Sequence, residues 1–158
     1  MANLFFLLSG EFETLSFSEL KAILAAEDCN YEIIEKLDQT VRLKADVQSV
    51  NQVKRRSAYT RVCALELFTC NASDKDIAKV AGETDFQEYL GEGDSFEVRI
   101  RRIKEYSTKG DTMRLERQLG KLILERTRST SVNLRKPDKS FYGILTNYKL
   151  VFGIRLAE

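Results

Sequence analysis

Phe96-Glu97-Val98-Arg99-Ile100-Arg101-Arg102-Ile103 alternates apolar with charged side chains. A period of two puts Phe96, Val98 and Ile100 on one face and Glu97, Arg99 and Arg101 on the other. This spacing predicts a half-buried strand with an arginine-bearing open face. The period then changes. Over 112–128, Leu115, Leu119, Leu122 and Ile123 share one side of a predicted helix, and Arg114, Arg117 and Lys121 share another. Residues 131–134 read as a short strand ended by Lys136-Pro137-Asp138. Residues 141–145 and 148–156 read as a hairpin turning at Thr146-Asn147.

Upstream the elements are shorter. Residues 4–8 are an apolar run broken by Ser9-Gly10, which predicts a buried strand. Ser16 or Ser18 can cap a helix that carries Leu20, Ile23 and Leu24 on one face and runs to about Asp28. Two short strands, 31–37 and 40–45, follow around Asp38-Gln39. Strand, helix, strand and strand within so few residues suggest a small ferredoxin-like layer. From 47 to 68, Val50, Val53, Ala58, Val62 and Leu65 form a rough helical stripe. Ser73 or Asp74 then caps a helix over 75–81, and 86–90 is a short amphipathic piece before the Gly91-Glu92-Gly93-Asp94 turn.

The chain has 158 residues, 43% hydrophobic and 31% charged, which is globular composition for one domain or two small ones. The run at 4–8 is too short for a signal peptide or a membrane span, so a soluble cytoplasmic chain is expected. There is no histidine, and Cys29, Cys63 and Cys70 form no C-x-x-C pair. A Cys/His zinc site is therefore excluded, and three buried free thiols are expected. The missing histidine also excludes Ser–His and Cys–His nucleophile pairs. No G-x-G-x-x-G or G-x-x-x-x-G-K motif is present. No catalytic, metal-binding or cofactor-binding residue is assigned.

Charge is unevenly spread. Residues 1–50 hold four basic and nine acidic side chains, a net of −5. Residues 66–96 hold two and eight, a net of −6, and residues 97–139 hold thirteen and six, a net of +7. Clustered cations on a near-neutral chain point to a local polyanion site. The candidates are Arg99 and Arg101 on the strand, Arg114, Arg117 and Lys121 on the helix, and Arg135 and Lys136 in the basic loop, with Arg56 and Arg61 from the preceding helix. Each cluster taken singly also reads as a solvated face. Tyr59, Tyr106 and Tyr142 are candidates for stacking on bases, whereas Phe96, Phe141, Tyr148 and Phe152 fit strand cores.

These segments resemble a known family. Phe96-Glu97-Val98-Arg99-Ile100-Arg101-Arg102 is similar to the first core strand of THUMP domains. Leu115-Glu116-Arg117-Gln118-Leu119-Gly120-Lys121-Leu122-Ile123 resembles the following helix with its internal glycine. Val132-Asn133-Leu134-Arg135-Lys136-Pro137-Asp138 resembles a V-D-L-x-N-P-D segment, with Asn133 in place of Asp and Lys136 in place of Asn. Val151-Phe152-Gly153-Ile154-Arg155-Leu156 resembles the closing strand, and Arg56-Ser57-Ala58-Tyr59-Thr60-Arg61 an R-x-A-x-T-R helical segment. Phe5-Phe6-Leu7-Leu8-Ser9-Gly10-Glu11, with Thr14-Leu15 and Glu19-Leu20, resembles the start of archaeal tRNA guanosine N2-methyltransferases.

The resemblance implies an α+β fold, with a ferredoxin-like domain over 1–46 and a THUMP RNA-binding domain over 47–158. It implies recognition of tRNA at the acceptor stem and the single-stranded 3′ CCA end, with no membrane partner. S-adenosylmethionine would belong to a separate catalytic domain. That family's Asp- or Asn-Pro-Pro-aromatic motif needs more than the one proline present, so this chain is expected to lack the catalytic domain. A THUMP module of another tRNA-modifying enzyme, a thiouridine synthetase or an acetylation adaptor, is the alternative. A basic protein-interaction domain is a further one.

Overall fold

The computed structural model describes residues 1–104 and 112–158. The architecture is α+β, and the chain divides into two compact units. One comprises Met1–Glu66 with Arg155–Glu158, and the other Leu67–Ile154.

The first unit contains β1 (Ala2–Leu8), α1 (Glu13–Ala26), β2 (Tyr31–Leu37), β3 (Thr40–Ala45), α2 (Ser49–Arg56) and the beginning of β4 (Thr60–Asn71). Its strand order is β2-β3-β1-β4, with antiparallel neighbours throughout. Strand β1 sits centrally, where Leu4 faces Leu43 on one side and Leu65 on the other. A central strand is buried on both faces, which is why 4–8 is continuously apolar rather than alternating. Leu20, Ile23 and Leu24 of α1 and Val50 and Val53 of α2 pack on Leu4, Phe6 and Leu43.

Strands β2 and β3 begin and end where the sequence places them. Helix α1 starts earlier than expected, at Glu13. Ser16 does not cap it but lies buried inside its first turn, bonding back to the Phe12 carbonyl at 2.6 Å.

The helix expected over 47–68 is corrected. Only Ser49–Arg56 is helical, and Thr60–Asn71 is a strand paired with β1. Ser57 is extended (φ −78°, ψ 135°). Glu19 of α1 accepts from the backbone N–H groups of Ala58 and Tyr59 at 3.0 and 3.1 Å, which holds the linker out of a helix. The segment resembling R-x-A-x-T-R is therefore a helix end, a linker and a strand start. The β1-α1-β2-β3-α2-β4 order with its antiparallel sheet is the full ferredoxin-like unit. This compact unit takes in Met1–Glu66 with Arg155–Glu158, whereas the sequence reading divides the chain at 46/47. A cut at 46 separates α2 and β4 from the core that they complete.

The second unit contains the rest of β4, then α3 (Asp74–Glu83), a 3-10 turn (Phe86–Glu88), β5 (Ser95–Arg102), α4 (Thr112–Arg126), β6 (Ser131–Val132), β7 (Lys139–Thr146) and most of β8 (Lys149–Ala157). The Ser73 hydroxyl caps α3 by accepting from Asp76 N–H. The strands run in the order β4-β8-β7-β5-β6, with β5 parallel to β6 and β7, and β7 antiparallel to β8. Phe68 stacks on Phe152 at 5.1 Å and Phe96 meets Phe141 edge-on at 5.8 Å. Gly143 lies under this cluster, where a Cβ would stand 2.6 Å from Ile100 Cδ1. Leu115, Leu119 and Ile123 of α4 fill the same core.

The β7–β8 hairpin turns one residue later than expected. Thr146 pairs with Lys149, and both Asn147 (φ 51°) and Tyr148 (φ 60°) are left-handed, the backbone that a two-residue hairpin loop needs. Tyr148 is therefore an exposed turn residue and not core. Tyr142 is buried rather than exposed, and Tyr59 is half-buried with its ring edge-on to Phe12 at 6.0 Å. Tyr106 lies outside the described residues. Of the cysteines only Cys63 is buried, while Cys29 and Cys70 are partly accessible.

Candidate nucleic-acid interface

Strand β5 has β7 on one side and the two-residue β6 on the other. Beyond Phe96, no strand among the described residues pairs with its β6-side edge. Helix α4 closes part of that edge, where Glu116 Oε2 accepts the Ile100 N–H at 2.8 Å. Between the β5 edge, α4 and the residues after β6 lies an open cleft of about 410 Å³. Its apolar lining is formed by Phe96, Val98, Met113, Leu124, Val132 and Leu134. Arg99, Arg117 and Lys121 stand at its rim. An apolar lining with a cationic rim suits a ligand with a flat ring and an anionic group.

The rim cations are available. Arg99 Nε lies 3.1 Å from Glu97 Oε1, and its Nη2 reaches the Leu134 carbonyl at 3.5 Å. This fixes the guanidinium between strand and loop while leaving it half exposed. Glu97, expected on an open face, is buried behind Arg99. Lys121 stands 4.0 Å from Glu125 with both side chains exposed, a pair too solvated to hold it. Arg117 is exposed on α4.

The loop after β6 is tied at both ends. Asn133 Oδ1 accepts from the N–H groups of Arg135 and Lys136 at 3.0 and 3.1 Å, an Asx-type turn. Asp138 Oδ2 accepts from Ser95 N–H and Oγ–H at 2.8 and 3.1 Å. Those bonds hold the Asp138 carboxyl below the usual carboxylate range. The exposed side chains of Arg135 and Lys136 are thus carried on a fixed backbone next to Leu134.

The other candidates are placed differently. Arg101 is exposed on β5 but does not line the cleft. Arg114 is bonded to Asp74 at the start of α3, at 3.2 Å. Arg56 and Arg61 belong to the first unit. Arg56 pairs with Glu27 at 2.9 Å, and Arg61 is exposed on β4 rather than on a helix. The structure therefore brings together Arg99, Arg117 and Lys121, with Arg135 and Lys136 on the adjoining loop.

Charge clustering did not find the apolar half of the site. Met113 and Leu134 are 56% and 60% exposed, and Val132 is also exposed. One signal was in the sequence. Met113, Gly120 and Leu124 recur at spacings of seven and four on α4, off the Leu115, Leu119, Ile123 stripe. Among the described residues no group of Cys, Asp and Glu side chains converges to hold a metal ion, and no helix is long and apolar enough to cross a membrane.

A model of the THUMP domain matches residues 71–150. The tRNA (guanine(10)-N2)-dimethyltransferase of Methanothermobacter thermautotrophicus is 32% identical over 151 residues, covering 96% of this chain and 43% of that protein. The chain thus spans less than half the length of this relative. The crystal structure of PH1313 from Pyrococcus horikoshii aligns over 99% of this chain and 55% of its own, with a TM-score of 0.69 at 18% identity. TrmN from Thermus thermophilus aligns over 100% and 46%, with a TM-score of 0.69 at 19% identity. A 4-thiouridine synthetase solved with RNA and ATP aligns over 99% and 42%, with a TM-score of 0.65 at 16% identity. At these identities the structural likeness is one of fold.

Proposed function

The chain belongs to the THUMP domain family, and on that premise we propose that it is the tRNA-recognising part of an S-adenosylmethionine-dependent tRNA guanine-N2 methyltransferase acting in the cytoplasm. It takes tRNA by the acceptor stem and the single-stranded 3′ CCA end. The observation that carries this reading is the cleft, where Arg99, Arg117 and Lys121 accompany an apolar lining. A single-stranded end offers phosphates to the cations and unstacked bases to the apolar lining. A duplex alone would use the cations and leave Val132 and Leu134 exposed. Arg135 and Lys136 extend the phosphate track along the loop and set register without reading sequence. The relative named for tRNA guanine N2-dimethylation favours this parent activity over thiolation.

This chain's own residues bind and orient, and methyl transfer is assigned to a separate domain, for which S-adenosylmethionine supplies the methyl group. The cleft does not fit that cofactor. Its rim is cationic against a cationic sulfonium, and its one lining carboxylate, Glu116, is held by Ile100 N–H.

A titration against tRNA with and without its terminal CCA, at two salt concentrations, tests the reading. Five phosphate contacts predict a slope of log K on log salt of roughly −3.5 to −4.5, and tighter binding of the intact tRNA. Equal weak binding of both tRNAs would leave nonspecific electrostatics, and preference for an acidic protein over tRNA would favour a protein-interaction domain.

A further inference from the structure

Gly120 lies in the middle of α4, where glycine is the least favoured residue after proline. Two structural reasons usually retain a glycine in a helix, and neither applies. Its φ is not positive. Gly120 is buried, yet among the described residues a Cβ built on it meets nothing within 4 Å, in contrast to Gly143. No described residue occupies the place of the missing side chain.

The cleft accounts for the gap. At 100° per residue, Met113, Glu116, Arg117, Gly120, Lys121 and Leu124 form the side of α4 that lines it, and Gly120 falls near the middle of that stripe. Larger side chains flank it along the helix, with Arg117 before it and Leu124 after it. Across the cleft stand Val132 and Leu134. The result is a gap one residue wide on the α4 side of the cleft, facing apolar Val132 and Leu134, with Arg99, Arg117 and Lys121 in the same lining. A peptide with an apolar side chain would leave three cations unmatched. A free phosphate would leave the apolar wall wet. A nucleotide matches both.

We infer that Gly120 is a specificity-determining residue: the space left by its missing side chain takes the edge of one unstacked nucleobase of the RNA's single-stranded end, and a side chain there fills that space. This rests on the tRNA-binding reading above and adds to it the residue that sets the depth of the site. The helix tolerates the glycine at a cost in stability because binding requires the gap.

The test compares Gly120→Ala and Gly120→Leu in the 158-residue chain, using intact tRNA, tRNA trimmed of CCA, and thermal melting. Glycine removal from a helix interior raises the melting temperature of G120A by roughly 3–6 °C. Binding of intact tRNA to G120L falls at least about tenfold, to the level of trimmed tRNA, and binding of trimmed tRNA stays unchanged. Wild-type affinity for intact tRNA in both variants would overturn the inference while the wild-type preference for intact tRNA, and with it the functional reading, stands. If the wild-type chain shows no such preference, the reading itself fails and the inference with it. Should G120L melt lower, G120A decides: a higher melting temperature with weaker binding of intact tRNA supports the seat, and a higher melting temperature with unchanged binding overturns it.

Discussion

Asp138 and Ser95 hold each other from both sides. The Asp138 carboxylate accepts from the Ser95 N–H and hydroxyl, and the Asp138 N–H donates to the Ser95 carbonyl at 3.0 Å. The end of the basic loop is thereby fixed to the first residue of β5. Asp138→Ala is expected to loosen Arg135 and Lys136 and to weaken tRNA binding several-fold, with little change in melting temperature. The pH dependence has a definite sign. The folded carboxyl titrates below its unfolded value of about 4, because the Ser95 bonds favour the charged form. The link is therefore complete above about pH 4 and is lost as pH falls through the lower folded value. The Ser95 amide shift, followed by NMR from pH 7 downward, should hold until that range. Movement near pH 6 would show that Asp138 is not its partner.

Gly143→Ala should act opposite to Gly120→Ala. A Cβ at 143 would stand 2.6 Å from Ile100 Cδ1, 2.9 Å from Phe152 Cδ2 and 3.1 Å from Leu150 Cδ1. All three belong to the second unit's packed core. Overpacking of this kind costs roughly 1–3 kcal/mol. Chemical denaturation of the two glycine variants side by side should show one destabilised and one stabilised. Equal shifts would mean that the two glycines have similar surroundings.

Arg42 bridges Glu66 and Glu35 in the first unit, at 2.7 Å from each. The Glu66 side chain is only 5% exposed, and Arg42 is its ion-pair partner. Arg42→Ala leaves it buried and unpaired, at a cost of about 3 kcal/mol. The double variant Arg42→Met with Glu66→Leu removes both charges and should recover most of that loss. A double variant as unstable as the single one would show that packing of the Arg42 stem, not charge, holds this face.

Legibility from sequence followed the distance over which each element is determined. Strands β2 and β3 were readable because Asn30 and Asp38-Gln39 bound them locally. Strand β4 was not, because Val50, Val53, Ala58, Val62 and Leu65 happen to fit a helical period. What makes 60–71 a strand is pairing with Phe5, Phe6 and Leu7, distant in sequence. Helix α2 and β4 were in turn severed from the ferredoxin-like unit they complete. At the site, the cations were visible as a local excess of charge. The apolar wall was not, because Val132, Leu134 and Leu124 look like core residues, and their place in the cleft depends on where the two-residue β6 ends beside β5 and α4.

Cysteine reactivity should follow burial. Desolvation pushes the Cys63 thiol up to about 12 and the Cys70 thiol up to about 11, the latter with help from Asp76. Cys29 is also raised, first by desolvation and then by Glu27 and Asp28. The thiolate is the reactive form. At pH 8 a maleimide should label native Cys29 slowly, Cys70 more slowly and Cys63 only on unfolding. Rapid native labelling of Cys63 would mean that β4 opens from β1, where Cys63 faces Phe6.

Arg114 and Arg117 separate a structural cation from a binding one on the same helix. They lie three residues apart with similar surroundings in sequence. Arg114 is bonded to Asp74 of α3, whereas Arg117 stands at the cleft rim. Arg117→Ala should weaken tRNA binding and make the salt slope shallower by about 0.7–0.9, the share of one phosphate contact. Arg114→Ala should leave the slope nearly unchanged and cost under about 1 kcal/mol, since its pair with Asp74 is exposed. Reversing that pair, with Arg114→Asp and Asp74→Arg together, should keep both stability and tRNA affinity near wild type. If Arg114→Ala lowers the slope as much as Arg117→Ala does, Arg114 leaves Asp74 for phosphate on binding, and the RNA track runs past the cleft toward α3.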